Sequence, residues 1–144
     1  MTLHLVKLAV GIDSVRHLRA VQKKRLAANL DAGRGPLLEF ITRNRPKRAG
    51  EILAGGSMYW VVKGFIRVRQ RILALDPVSD REGRRACAIR FDPELVATAA
   101  VAYRPIQGWR YLEEREAPPD LTVADDFDDM PPEMRSELRS LGLI

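Results

Sequence analysis

Three arginines, Arg67, Arg69 and Arg71, alternate with other residues along one segment of this chain and are its most distinctive chemical feature. Alternate side chains of a β-strand point to the same face, so we expect the three guanidiniums to share one face of a sheet, about 7 Å apart. That spacing is comparable with the several ångströms between successive phosphates of a nucleic-acid strand. The segment is therefore a candidate track for a phosphate backbone. Alternatively, these arginines pair with acidic residues of the C-terminal tail or with Glu39 and Glu51.

A second basic cluster occupies residues 43–48 and consists of Arg43, Arg45, Lys47 and Arg48. Pro46 suits the first turn of a helix, so we expect these cations to lie beside a helix start. Basic side chains and helix amides can hold a phosphate together. The alternative is that the segment is an ordinary solvated loop.

Aromatic residues accompany the basic segments and are candidates for stacking on a nucleobase. The pairs Tyr59–Trp60 and Trp109–Tyr111 are each expected to place one ring in the core and the other on the opposite face of the strand. In the first pair we expect Trp60 to point inward and Tyr59 to lie at the surface. The alternative is that these rings serve only core packing.

No catalytic or cofactor motif stands out. The two histidines, His4 and His17, have no cysteine or carboxylate pair at the spacing of a metal site. The single cysteine, Cys87, excludes an internal disulfide, and we expect it to be a buried core thiol. The glycines at 55–56 lack the lysine of a phosphate-binding loop. We therefore expect no catalytic residue, no metal and no cofactor.

Before the C-terminal tail, the pattern of apolar residues and chain breakers predicts two helices and seven strands. The expected strands cover residues 3–10, 37–42, 57–63, 65–75, 84–91, 98–103 and 109–112, and the expected helices 14–30 and 46–53. The first helix carries an apolar stripe that consists of Val15, Leu18, Leu26 and Leu30. Arg19 and Gln22 interrupt this stripe. Short polar loops between consecutive strands favour antiparallel pairing. The predicted class is α+β, with a curled, mainly antiparallel, barrel-like sheet and flanking helices.

The net charge of +5 conceals an uneven distribution along the chain. Residues 1–112 hold 21 Lys and Arg against 9 Asp and Glu, whereas residues 113–144 hold 3 against 10. We expect a basic α+β domain at 1–116 and an acidic tail at 117–144, with an acidic run at 125–129 and a short terminal helix near 131–139. A basic body attracts polyanions, and the tail is a candidate internal competitor.

Several sequence blocks carry a resemblance to a known family. They include Arg45-Pro46-Lys47-Arg48 and Gln107-Gly108-Trp109-Arg110-Tyr111-Leu112, and together they span about residues 3–112. On these blocks the chain resembles the proteobacterial family called domain of unknown function 1489, with the acidic tail outside the resemblance. More remotely, the element order is similar to PUA-like and ASCH-type domains, small curled barrels that bind RNA or modified nucleotides. That likeness implies a binding surface made of Arg43, Arg45, Lys47, Arg48, Tyr59, Lys63, Arg67, Arg69, Arg71 and Arg110.

The expected function is a non-catalytic nucleic-acid-binding module, with RNA favoured over DNA. A first alternative is a small enzyme that acts on an anionic nucleotide or metabolite, with Lys63 for recognition and Glu39 or Glu51 as base. A second alternative is a protein-interaction subunit. The N-terminal segment lacks the features of a signal peptide, no apolar run approaches the roughly 20 residues of a membrane span, and a lone cysteine fits a reducing compartment. We therefore expect a cytoplasmic protein without a membrane partner, and the sequence leaves its oligomeric state open.

Overall fold

The computed structural model describes residues 2–33, 35 and 38–121. The predicted acidic run and terminal helix lie outside these residues. The elements follow the predicted order, and their bounds are β1 (Leu3–Leu8), α1 (Val15–Asp31), β2 (Leu38–Thr42), α2 (Ala49–Leu53), β3 (Ser57–Val62), β4 (Phe65–Ser79), β5 (Arg85–Phe91), β6 (Val96–Ala102), β7 (Trp109–Glu113) and a 3-10 turn (Glu114–Glu116).

The seven strands form one mixed sheet in the order β2-β5-β4-β3-β1-β7, with β6 paired to β4. All the pairings are antiparallel except that between β1 and β3. The hairpin of β3 and β4 turns through Lys63 and Gly64, whose φ angles of 51° and 84° are those of a tight two-residue hairpin turn. The predicted α+β class with a curled, mostly antiparallel sheet is confirmed.

β4 extends beyond residue 75, where the sequence pattern predicted its end. Asp76-Pro77 is typical of a turn, but in the structure it continues the strand to Ser79. β3 pairs with β4 only as far as Arg71, so beyond that point β4 has no described partner on the β3 side. A proline without an N–H donor is tolerated at such an edge. Register shifts within the β3, β5 and β6 pairings of β4 mark irregularities of the kind that bend a strand.

The sheet curls until its two ends meet without pairing. β2 and β7 stand at opposite ends of the strand order, yet the Trp109 indole Nε1 donates to the Asn44 carbonyl, which follows β2, at 3.1 Å. Similarly, the Lys7 ammonium on β1 lies 4.5 Å from the centre of the Phe40 ring on β2. The result is an incompletely closed barrel with a seam between β2 and β7.

Apolar side chains pack on both faces of the sheet. The larger cluster lies inside the curl, below α1 and α2, and includes Trp60, Phe91 and the fully buried Cys87, as predicted for that thiol. The smaller cluster on the opposite face is built from Val6, Tyr59, Val61, Ile66 and Leu112. Tyr59 is only 4% exposed, so its predicted surface position is wrong. The chain around Tyr103, Ile106 and Ala117 covers that face, and the pattern of β3 alone did not reveal this cover.

The buried residues of the helix α1 lie in its first half, and Leu26 beyond them packs partly against the larger cluster. Ser14 caps it by accepting from the His17 amide at 3.0 Å, and Val15, Leu18 and Gln22 are buried. Gln22 thus completes the buried stripe that it was expected to interrupt, whereas Leu30 is 52% exposed. Among the described residues, neither helix combines the length and the apolar character that crossing a membrane requires.

Candidate functional site

The seam of the sheet opens into a groove of about 750 Å³, which we call the basic groove. It is lined by Arg43, Asn44, Arg45, Lys47, Pro77, Val78, Arg85, Ala86, Trp109 and Tyr111. Four of its ten residues are cations and two are large aromatics. The groove therefore combines the two residue types that nucleic-acid binding uses most.

Four separate parts of the chain form the basic groove. The segment 43–47 leaves the end of β2, Pro77 lies on the unpaired edge of β4, Arg85 begins β5, and β7 supplies the aromatics. These parts meet because the ends of the curled sheet come together. Curling of the sheet is thus what gathers cations from distant points of the sequence.

The cations of the basic groove lack acidic partners among the residues described. Arg43, Lys47 and Arg85 make no ion pair there, and Arg45 donates through Nε to the Leu75 carbonyl at 3.1 Å. By contrast, Arg90 on β5 pairs with Glu39 at 3.1 Å and Arg69 on β4 pairs with Asp120 at 2.7 Å. Unpaired positive charges gathered in a concave site raise the local concentration of anions.

Arg48, predicted for the same cluster, is already engaged. Its guanidinium forms two hydrogen bonds with Glu51, at 2.6 and 2.8 Å, and lies 5.7 Å from the centre of the Tyr111 ring. This bond holds the pKa of the Glu51 carboxyl below its usual value. Arg48 therefore supports the groove wall, since its backbone amide also donates to the Tyr111 hydroxyl at 3.3 Å.

Trp109 and Tyr111 lie side by side in the groove, with ring centres 5.0 Å apart and planes at 67°. The expectation that these two rings occupy opposite faces is wrong, because residues two apart in a strand share a face. Bonds from Trp109 to the Asn44 carbonyl and from the Arg48 amide to Tyr111 hold both rings in place. Both rings remain partly exposed.

The three alternating arginines of β4 do not form a continuous surface track. Arg67 is only 1% exposed, with its Nε donating to the Val62 carbonyl at 3.0 Å and its guanidinium 5.1 Å from the Phe65 ring centre. Arg69 is bound to Asp120, and only Arg71 is exposed. The prediction that the three arginines form a solvent-facing track is thus wrong. The β4–β6 register shifts at Arg67, and Asp120 covers Arg69.

The remaining predicted residues lie apart from the basic groove. Lys63 sits at the β3–β4 turn and pairs with Asp13 at 3.1 Å. Arg110 is exposed on β7 and donates to the carbonyls of Gln107 and Trp109. Neither lines the groove, and neither lies beside an unpaired cation of the groove in the described contacts.

The first residues of the acidic tail pack onto the domain. Pro119 accepts from the Ala99 amide at 2.8 Å and Leu121 donates to the Ala97 carbonyl at 2.9 Å, so this segment extends the sheet beyond β6. Asp120 binds Arg69 through two hydrogen bonds of 2.7 Å. The predicted pairing of these arginines with the tail is thus seen at one position, and the predicted pairing with Glu39 and Glu51 is not, because those carboxylates bind Arg90 and Arg48.

Arg85 is the one cation of the basic groove that the sequence patterns did not select. The alternation of β5 places Arg85 on the same face as Cys87, at the point where the strand enters the groove. The signal for Arg85 was therefore present, but nothing local showed that this end of β5 faces β7. Within the described residues no group of three or more His, Cys, Asp or Glu is arranged to hold a metal. Burial raises the pKa of the Cys87 thiol.

Comparison with known proteins yields one match, to a family. No curated protein and no solved structure matches the chain. A sequence model of the family described as "Protein of unknown function (DUF1489)" matches residues 5–144. The match includes the acidic tail, so the expectation that the resemblance stops near residue 112 is wrong. Since the match covers nearly the whole length, the chain belongs to the DUF1489 family.

Proposed function

We propose that this protein is a non-catalytic module that binds single-stranded nucleic acid, RNA in preference to DNA, in the basic groove. The observation that carries the proposal is the meeting of three cations without described acidic partners, Arg43, Lys47 and Arg85, with the ring pair Trp109 and Tyr111. The cations supply contacts to phosphates, and a partly exposed ring supplies a stacking surface for a base.

A single strand suits this groove better than a duplex does. Stacking on a protein ring requires a base that is already unstacked from its neighbours, as in loops, bulges and free strands. The proposed preference for RNA over DNA rests on the remote likeness to PUA-like domains, because cations and aromatic rings alone can bind either an RNA or a DNA strand. Arg71, exposed on β4, remains a candidate for a further phosphate contact.

Fluorescence anisotropy with a labelled oligouridylate tests the proposal. The double variant Arg43→Glu/Lys47→Glu should weaken binding at least tenfold, because two phosphate contacts become repulsive. The matched control, Lys23→Glu/Lys24→Glu, makes the same change of charge on the exposed face of α1 and should change affinity less than threefold.

Two further measurements test the role of the stacking ring and the preference for a single strand. Trp109→Leu should weaken binding about fivefold or more, since stacking of one base is worth roughly 1–3 kcal/mol. A duplex RNA should bind more weakly than the oligouridylate, and an oligothymidylate of equal length should fall between them. Equal losses in the groove and helix variants would refute the assignment of the site, and equal binding of the duplex would refute the preference for single strands.

A further inference from the structure

A second cavity, separate from the basic groove, lies between α1 and the inner face of the curled sheet. Its volume is about 680 Å³, within the range of small-molecule sites. Val21, Arg25 and Ala28 line it from α1, so this helix forms the roof over the open space. The mouth of a small barrel is a common place for a ligand.

Three aromatic residues, Phe40, Trp60 and Phe91, contribute to the walls of this cavity. Trp60 and Phe91 meet with ring centres 5.7 Å apart, and Phe40 of β2 also lines the cavity. Gln70 fixes the Trp60 ring by accepting from its Nε1 at 3.3 Å. The Gln70 amide in turn exchanges two hydrogen bonds with Gln22 of α1, at 2.8 and 2.9 Å, so the floor and the roof are held together.

Lys7 places a positive charge on the inner side of this cavity. Its ammonium lies above the Phe40 ring, and it makes no ion pair among the described residues. Glu39, which also lines the cavity, is bound to Arg90. Burial lowers the pKa of Lys7, as expected for an ammonium that lacks a carboxylate partner. Arg25 of α1, which is exposed, also lines the cavity and adds a second cation.

We propose that this cavity binds a small organic anion with a flat apolar body, whose carboxylate or phosphate group pairs with Lys7. The flat body packs against the apolar and aromatic lining, and the anionic group supplies the partner that Lys7 otherwise lacks among the described residues. The site is distinct from the basic groove, because the two share no lining residue. The proposal for this cavity therefore does not depend on RNA binding by the basic groove.

Two fluorescent probes of the full-length protein test this inference. Anilinonaphthalene sulfonate is a flat aromatic anion, and N-phenylnaphthylamine is its uncharged counterpart. Lys7→Met should weaken binding of the anionic probe about tenfold or more, because a charged hydrogen bond in a desolvated site is lost. Binding of the uncharged probe should change less than twofold, since the methionine keeps the apolar stem.

Lys24→Met is the matched control, because it removes the same charge from the exposed face of α1, outside both the cavity and the basic groove, and should leave both affinities within twofold. A second variant, Val21→Phe, adds bulk to the roof of the cavity and should weaken both probes together, including when Lys7→Met fails to fold. The inference is overturned when the wild-type protein binds neither probe saturably, when Lys24→Met lowers the anionic probe's affinity as much as Lys7→Met does, or when Val21→Phe changes neither affinity.

Discussion

The salt dependence of RNA binding offers a quantitative test of the basic groove. Each phosphate that a protein neutralises on a single strand contributes about −0.7 to the slope of log K against log salt concentration. If the four cations of the groove each neutralise one phosphate, the slope is about −2.8. Raising the salt from about 50 to about 200 mM should then weaken binding about fiftyfold.

The double variant Arg43→Gln/Arg85→Gln removes two of these contacts without reversing any charge. Its slope should fall to about −1.4, so the same rise in salt should weaken binding only about sevenfold. Arg43 and Arg85 suit this test because neither has an acidic partner among the described residues, and their loss leaves no described carboxylate unpaired.

Isothermal titrations or anisotropy measurements with one oligouridylate at five or more salt concentrations give both slopes. The control is Lys23→Gln/Lys24→Gln, which lowers the net charge of +5 by the same two units on the exposed face of α1. Its slope should stay near that of the wild-type protein. A common slope for the wild-type and Arg43→Gln/Arg85→Gln proteins, or the same reduction in the control, would refute the reasoning.

Two further predictions concern stability. Gly56→Ala should lower the free energy of unfolding in urea by at least about 2 kcal/mol, because the added Cβ would collide with the backbone carbonyls of residues 3 and 52. The control, Gly50→Ala on the open side of α2, should be neutral or slightly stabilising. Similar effects of the two substitutions would contradict the predicted collision. The bond from Arg69 lowers the pKa of Asp120, so the pair stabilises the folded state above the unfolded pKa of about 3.9 and this contribution is lost as the pH falls through the lowered value. Because both groups are partly exposed, Asp120→Asn should cost only about 0.5–1 kcal/mol at pH 7 and nothing near pH 2, and a cost that grows on acidification would count against the pair.

The contact of Asp120 with Arg69 also bears on experiments with the acidic tail. Residues 117–121 pack on the second core cluster and on β6, so a truncation at residue 117 removes part of the folded domain. A truncation after Leu121 keeps these contacts and removes residues 122–144, which include the acidic run. Only this shorter truncation tests whether the acidic run competes with a polyanion for the basic body.

The sequence by itself determined the order of the elements and much of the chemistry of the groove. Strand and helix signals are local: the alternation in β5 placed Cys87 inside, and Ser14 marked the start of α1. The cluster at 43–47 and the ring of Trp109 were also selected from sequence, and they do line the basic groove. Local patterns sufficed here because they depend on neighbours along the chain.

Only the tertiary structure decided which of the basic residues face solvent together. The alternation of Arg67, Arg69 and Arg71 could not show that a register irregularity and a covering segment take two of them out of a track. Likewise, no local signal brings Arg85 on β5 to Trp109 on β7, because these strands are not neighbours in the sheet. Their meeting depends on how far the sheet curls, and curl is set by packing and bulges summed over all strands. A periodic pattern fixes which residues share a face of a strand, but not what lies against that face.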